Sequence, residues 1–393
     1  MKIAHLADAH LGFRQFQRLD ADGVNRREMD VALAFRRAVD QVIERKPDAI
    51  VFAGDLFHSV RPTNRAIIEA FTQLARLRHE LPGAPIVLIA GNHDTPRSLE
   101  AGSILKLMAS LGVDVVDDVE RRLTYPFLDL SVLAVPHAAL LRGRPVAGWH
   151  SDPGARHNVL VMHPEIAGLF PEVMDYGGAR VEAAELWSAD WSYVALGHYH
   201  VVHEVAPRAW YAGSLEYTSP NLWGEVREED RRGLTKGWLL ADLDTGAVER
   251  VGLPPGRRII DLAWLDAAGL TAQELDAAIA ARLAAVPAGI AGAVVRLVVQ
   301  NVPRSLGHAL DHGALRVHKA AALHLQLDLR RPDPYRRTVG VGAPAGRRPP
   351  LADVVADFLA RRPLDADLDR ARFVALGREA LDAVERELQE GGA

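Results

Sequence analysis

Five short segments of this chain end in residues that bind metals or move protons: Asp8 with His10, Gly54-Asp55, Gly91-Asn92-His93-Asp94, His163, and Gly197-His198-Tyr199-His200. Singly they mean little, because the chain has 16 histidines and an Asp-X-His or a His-X-His arises by chance. Together they make an ordered series of carboxylate, imidazole and amide donors, a set that suits divalent cations. With no cysteine, thiolate sites and disulfides are excluded. In Asp8-Ala9-His10 and His198-Tyr199-His200 the paired donors are one residue apart, so an extended backbone turns both to one side. Asp8, His10, Asp55, Asn92, His163, His198 and His200 are more donors than one ion can take while leaving room for a substrate. They suit two ions ~3.5 to 4 Å apart sharing a carboxylate, and Asp55, central in the series, is the natural bridge. Without a cation, such groups buried at one site would cost several kcal/mol.

A sheet must position them. Each donor segment follows an apolar run, residues 3–7, 50–53, 86–90, 159–162 and 193–196, and runs of this length and β-branched content read as buried strands. In open α/β sheets ligands gather beyond the carboxyl ends of the strands, which predicts one convergent site. Helical spacing appears between the runs: Phe35, Val39, Val42 and Ile43 in residues 25–46, Ile67, Phe71 and Leu74 in 63–80, and Ile104, Leu105, Met108 and Leu111 in 99–111. The alternation predicts an α/β layered domain. The loop 11–24 carries Arg14, Gln15, Phe16, Gln17 and Arg18, which either contact nucleic acid near the site or form an ordinary solvated loop. Ten further histidines (His5, His79, His137, His150, His157, His203, His308, His312, His318 and His324) read as ordinary surface or core groups.

At 393 residues, 49% hydrophobic and 25% charged, the chain is a water-soluble protein of more than one domain. Its net charge of -5 lacks the footprint of a nonspecific nucleic-acid binder, so local basic residues and bound cations must attract any polyphosphate. The amino terminus has no secretory apolar core, and no stretch reaches the ~20 apolar residues of a membrane span, so a cytoplasmic location, nucleoid-associated in a prokaryote, is expected. A boundary falls near Pro254-Pro255-Gly256. The expected domains are 1–255 for the chemistry, 256–330 as a small α+β domain with a capping box at Thr271 to Glu274, 331–350 as a basic Pro/Gly linker, and 351–393 as two amphipathic helices. The last either dock a partner or pack back on their own chain.

The five donor motifs resemble those of the calcineurin-like metallophosphoesterases. More narrowly, Asp8-Ala-His10-Leu-Gly12, Gly54-Asp-Leu-Phe-His58 with Arg61-Pro62, and Tyr211-Ala-Gly213-Ser214 look like the SbcD-type nucleases of double-strand-break repair. That resemblance, carried by residues 1–250, implies the metallophosphoesterase fold, a β-sandwich flanked by helices, followed by a capping domain and a helical segment that binds an SbcC-type coiled-coil ATPase. It implies two divalent ions, with manganese the family expectation. Asp8, His10, Asp55 and His200 would hold one, and Asp55, Asn92, His163 and His198 the other. His93 would face the substrate and stabilise or protonate the leaving oxygen, Asp94 would hold the His93 ring, and His58 would orient the scissile phosphate. Asp94 also reads as a carboxylate that stabilises its turn. The implied activity is 3′ to 5′ exonuclease on duplex DNA and endonuclease on single strands, by a homodimer joined through the helices at Thr63 and Leu99. Two other readings stand beside it: an esterase for a small phosphodiester, and a noncatalytic scaffold for DNA ends.

Overall fold

The apolar runs before the donors are strands buried on both faces. In β1 (Lys2–Leu6) Ile3 enters one core while Ala4 and Leu6 enter another; β2 (Ala49–Phe52) divides Val51 from Ile50 and Phe52, and β3 (Ile86–Ile89) divides Val87 and Ile89 from Ile86 and Leu88. A strand with no wet face needs no polar alternation, which is why these runs are almost wholly apolar, the buried His5 of β1 being the exception. This computed structural model describes residues 1–96, 102–143, 149–169, 178–182, 191–332, 351–361 and 369–390. Contacts divide the chain into two units, Met1–Arg331 and Pro332–Ala393.

The remaining strands of residues 1–252 are β4 (Asp114–Val116), β5 (Arg121–Tyr125), β6 (Leu130–Val135), β7 (His157–Met162), β8 (Pro164–Ile166), β9 (Ala179–Val181), β10 (Tyr193–Leu196), β11 (His203–Ala206), β12 (Ala209–Tyr211), β13 (Gly237–Asp242) and β14 (Val248–Gly252). One six-stranded sheet has the order β14-β13-β1-β2-β3-β4, with β1 to β4 parallel. The other has the order β11-β12-β10-β7-β6-β5, with β12, β10, β7 and β6 parallel. They face each other across Ile3, Val51 and Val87 on one side and Val132, Val159, Val161 and Ala195 on the other. The outer face of the first sheet is covered by α1 (Arg26–Arg45) and α2 (Asn64–Glu80). Asn25 starts α1 by accepting from the N–H groups of Arg27 and Glu28, and Thr63 starts α2 by accepting from that of Ala66. The short helix α3 (His137–Leu141) packs on the outer face of the second sheet with Trp149 and Trp191. The fold is thus an α/β sandwich of two sheets flanked by helices, as the resemblance implies.

The helix expected over 99–111 is instead a 3₁₀ helix, Ile104–Leu111, capped by Ser103 and closed by Gly112 at φ 75°; residues 97–101 lie outside the described ones. A further helix, α4 (Leu222–Arg232), follows the second sheet; the sequence reading passed over it. The chain then forms a parallel sheet of β15 (Ile259–Asp266), β16 (Val294–Gln300) and β17 (His324–Leu329) with its own core of Leu275, Ile279, Leu283, Val295, Leu297 and Val299. The Thr271–Glu274 capping box opens the helix Ala272–Ala284. Two short helices, Arg304–His308 and His312–Ala321, follow β16, and Asp311 caps the second by accepting from the N–H groups of Gly313 and Ala314.

The loop 11–24 straps this module to the sandwich. Phe16 stacks on His324 with ring centroids 3.9 Å apart, and Arg18 donates to the carbonyls of Lys319 at 2.9 Å and Leu323 at 3.3 Å. Arg14 pairs with Glu28 at 2.7 Å. Phe16 and Arg18 are therefore engaged within the protein, so neither a free nucleic-acid contact nor an ordinary solvated loop, the two alternatives for this segment, describes them.

In the second unit the helices Leu351–Arg361 and Arg370–Glu390 pack on each other, with Arg378 3.7 Å from Asp353 and Asp369 capping the second helix through the N–H of Ala371. The basic linker expected over 331–350 lies outside the described residues from 333 onward. Among the described residues no helix is long and apolar enough to cross a membrane.

Candidate metal centre

All seven expected donors meet at one rim of the sandwich. Asp8 and His10 follow β1, Asp55 follows β2, Asn92 follows β3, His163 follows β7, and His198 and His200 follow β10. Four of them, Asp8 (φ 51°), His10 (φ 48°), Asp55 (φ 53°) and His198 (φ 103°), have left-handed backbones, a conformation that costs a side-chain-bearing residue of order 1–3 kcal/mol and concentrates at functional sites. Close approach at the rim demands glycine: a Cβ on Gly91 would lie 2.1 Å from Asp55 Oδ1, and one on Gly197 would lie 1.9 Å from the Ala53 carbonyl oxygen.

The donor atoms are spaced as two shells. Around the first, His10 Nε2 is 3.0 Å from His200 Nε2, 3.6 Å from Asp55 Oδ2 and 4.0 Å from Asp8 Oδ1, and His200 Nε2 is 3.9 Å from Asp8 Oδ1. Around the second, Asn92 Oδ1 is 3.1 Å from both His163 Nε2 and His198 Nδ1, and His163 Nε2 is 3.4 Å from Asp55 Oδ2. Donors ~2.1 Å from a common ion lie ~3 to 4 Å apart, so both sets fit. Asp55 Oδ2 stands between them.

Neighbours fix which nitrogens face inward. His163 Nδ1 donates to the Ala53 carbonyl at 2.7 Å, and His200 Nδ1 donates to Glu225 Oε1 at 3.1 Å, leaving both Nε2 lone pairs for a ligand. The cluster also calls for positive charge. Burial would lower His163, but Asp55 and Asp8 outweigh it and push the imidazole up to about 9. Burial would likewise raise Asp55, yet His163 and His10 hold it well below the usual carboxylate range. A proton on His163 thus does part of what divalent cations would do for the whole set, and the residues fit that group.

His58 and His93 line the same cavity, of about 230 Å³, together with His10, Asp55, Asn92, His198, His200 and Glu225. The two half-buried rings stack, centroids 5.0 Å apart, and Phe13 meets His58 edge-on at 4.9 Å. His93 Nδ1 donates to the His58 carbonyl at 2.8 Å, and the His93 backbone N–H donates to Asp55 Oδ1 at 2.9 Å.

Asp94 does not hold the His93 ring. Its buried carboxylate accepts from the backbone N–H groups of Phe57 at 3.0 Å, Leu56 at 3.1 Å and Gly91 at 3.3 Å, clamping the turn after β2 to the turn after β3. Adjacent residues in such a turn point apart, so the ring found the His58 carbonyl instead. Burial and Asp55 push the Asp94 carboxyl up to about 7 against those three donors.

Sequence reasoning missed Glu225, Lys236, Thr218 and Ser219. Glu225 and Lys236 pair at 2.7 Å behind His200, while Thr218 and Ser219 line the cavity, where the buried Ser219 hydroxyl has no partner among the described residues. Nothing local in the sequence marks them, since each acts across a tertiary contact. Of the histidines read as ordinary, His137 sits edge-on to His163 at 6.5 Å, and it belongs to none of the donor clusters.

The family model for calcineurin-like phosphoesterases matches residues 1–212. A protein of Sulfurisphaera tokodaii called DNA double-strand break repair protein Mre11 is 30% identical over 203 residues, covering 51% of this chain and 49% of that one. Proteins of the same name are 25% identical over 276 residues in Methanococcus maripaludis (66% of this chain, 69% of that one) and 31% identical over 264 residues in Archaeoglobus fulgidus (61% and 57%). The chain therefore spans about half to seven-tenths of the length of these relatives.

Proposed function

Since the chain belongs to the calcineurin-like phosphoesterase family, we propose that it is a two-metal phosphodiesterase acting on DNA in double-strand-break repair, with 3′ to 5′ exonuclease and single-strand endonuclease action. The observation that carries this reading is the pair of donor shells sharing Asp55 at the floor of the cavity. The DNA substrate is supported by the name of the relatives in Sulfurisphaera tokodaii and Archaeoglobus fulgidus.

Asp8, His10, Asp55 and His200 would hold one ion, and Asp55, Asn92, His163 and His198 the other, manganese being the ion we propose. Two such cations lower the pKa of water and neutralise charge on the phosphoryl oxygens. The protein's part is orientation and proton handling. With Nδ1 tied to the His58 carbonyl, His93 has Nε2 left for the substrate, where it protonates the leaving oxygen. His58, stacked on His93, orients the scissile phosphate. Asp94 acts on neither ring directly; it holds the turns that carry Asp55 and His93.

The proposed domains are a nuclease part over 1–255, a capping part over 256–330 that binds DNA, a linker over 331–350 and a docking segment over 351–393. An SbcC-type coiled-coil ATPase would bind the last, on which Phe358 and Leu376 stand exposed. Ile68 of α2 and Leu107 of the 3₁₀ helix are exposed apolar residues suited to a homodimer contact. The protein would work in the cytoplasm, on the nucleoid.

The test is a direct competition of substrates. With Mn²⁺ the pure protein is expected to degrade linear plasmid DNA faster than it cleaves bis-p-nitrophenyl phosphate; the reverse preference would point to a small diester.

A further inference from the structure

His200 takes its ring orientation from outside the two sheets that carry it, although its carbonyl also accepts from the Ser214 backbone N–H at 3.1 Å. Its Nδ1 donates to Glu225 at 3.1 Å, and its carbonyl accepts from Lys236 Nζ at 2.9 Å. Lys236 in turn pairs with Glu225 at 2.7 Å and Glu229 at 3.1 Å, and all three side chains are more than nine-tenths buried. The neighbouring Tyr199 hydroxyl donates to Glu228 at 2.5 Å. Glu225, Glu228 and Glu229 all belong to α4, so the ring and the neighbour of this one donor are fastened to a single helix, while its carbonyl is met by the lysine that pairs with two of those glutamates. Buried ion pairs of this kind are weak sources of stability. They are well suited to fixing a position.

The other side of that helix is fastened elsewhere. Trp223 lies two residues from Glu225, about 200° around the helix. Its indole N–H donates to Gln326 of β17 at 2.7 Å, and the Arg296 guanidinium of β16 lies 4.8 Å over its ring, itself held by Asp261 at 2.8 Å. Leu222, Trp223 and Val226 are buried against Val294 and Leu323 of the three-stranded module. A module with no residue in the cavity lining thus touches the helix that aims one donor.

We propose that α4 is a strut through which the three-stranded module sets the His200 donor, with Glu225 as the positioning residue; the proposal rests on the reading that His200 holds a cation. The coupling is one-sided. His163, in the other donor shell, takes its tautomer from the Ala53 carbonyl inside the sandwich, so disturbing the strut weakens one ion and spares the other.

The experiment titrates the full chain with MnCl₂ by calorimetry and follows the spin-coupled dinuclear Mn²⁺ signal by electron paramagnetic resonance. Glu225→Ala is expected to weaken one of the two ions by about tenfold to a hundredfold, and to lose the coupled signal at Mn²⁺ levels that saturate the unaltered protein. Glu225→Gln, which keeps an acceptor for His200 Nδ1, restores most of that affinity. Trp223→Phe and Gln326→Ala weaken the same ion by about threefold or more. Wild-type titration by the last two variants overturns the strut. Failure of Glu225→Gln to rescue assigns the loss to a stranded Lys236 and overturns the positioning role, and if Glu225→Ala does not fold, Glu225→Gln and Gln326→Ala decide. His200→Ala separates the two levels of the argument: two ions bound there with unchanged affinity would reject the cation assignment itself, whereas loss of one ion leaves the strut to stand or fall on Gln326→Ala.

Discussion

The two halves of the donor cluster are held by different parts of the molecule. His163 is oriented by a main-chain carbonyl at the end of β2, and Asn92 Oδ1 lies within 3.1 Å of both His163 and His198, so that half inherits the rigidity of two packed sheets. In the other half, His10 Nδ1 lies 3.4 Å from the ring of His58, and His200 rests on a carboxylate of α4. In that half the backbone of His10 is tied to the Asp55 carbonyl, but the ring of His200 is only as firm as a side chain outside the two sheets makes it. The contrast teaches that a symmetric list of ligands can conceal one backbone-set shell and one side-chain-set shell. Asp55 belongs to both.

Removing the shared group should erase the contrast. Asp55→Asn is expected to lower Mn²⁺ stoichiometry from two to below one at concentrations that saturate the unaltered protein. DNA cleavage should fall at least about 10³-fold, the several kcal/mol that cation charge stabilisation supplies. Two ions retained at full affinity would remove Asp55 from the shared position.

His93 tests the boundary of the cluster. Its contact with Asp55 is through the backbone N–H, which a side-chain change leaves in place. His93→Gln should therefore keep both halves loaded while turnover drops by about 10²- to 10⁴-fold, the usual worth of a positioned acid. Loss of ions from that variant would make His93 a ligand.

What the sequence disclosed follows the same division. The donors were legible because each ends a strand buried on both faces, and such strands announce themselves as apolar runs. The backbone-set half needs nothing more, since Ala53 and Asn92 sit in those same strand ends. Glu225 was not legible: it lies 25 residues past His200, on a helix whose glutamates and arginines resemble any solvated face, and its partners are set by tertiary packing. The strap residues left two readings open. Phe16 and Arg18 have the chemistry of a nucleic-acid contact, and only the fold shows that His324 and the carbonyls near it have already taken them. For Asp94 the resemblance implied a bond to the His93 ring beside the reading of a turn-stabilising carboxylate; the turn sends the two side chains apart, and the carboxylate is taken up by backbone N–H groups.

Asp94 offers a smaller break, confined to the backbone-set side. An amide there presents one oxygen in place of two and aims an NH₂ group at a backbone N–H. Asp94→Asn should cost ~1–3 kcal/mol of stability in denaturant unfolding. A variant as stable as the parent would leave the clamp between the two turns without support.

The smallest effect comes from a second buried imidazole in the same sandwich, which shows what the carboxylates contribute. Burial alone would lower both rings, but Asp55 and Asp8 lift His163 to about 9, while His5, fully buried with the Tyr193 hydroxyl 3.0 Å from its Nδ1, is pushed down to about 3. In the unfolded chain His5 titrates near ~6.5. Between these values the unfolded state binds a proton that the folded state refuses, so this residue's contribution to stability is intact above ~6.5 and is lost as pH falls toward 3. His5→Gln keeps a partner for Tyr193 and does not titrate. Urea midpoints measured in chelator between pH 6.5 and 4.5 should fall less steeply in His5→Gln, the difference reaching up to ~1.4 kcal/mol per pH unit. Other titrating groups cancel in that comparison, so parallel curves would mean that His5 takes up its proton as readily inside the sandwich as outside it.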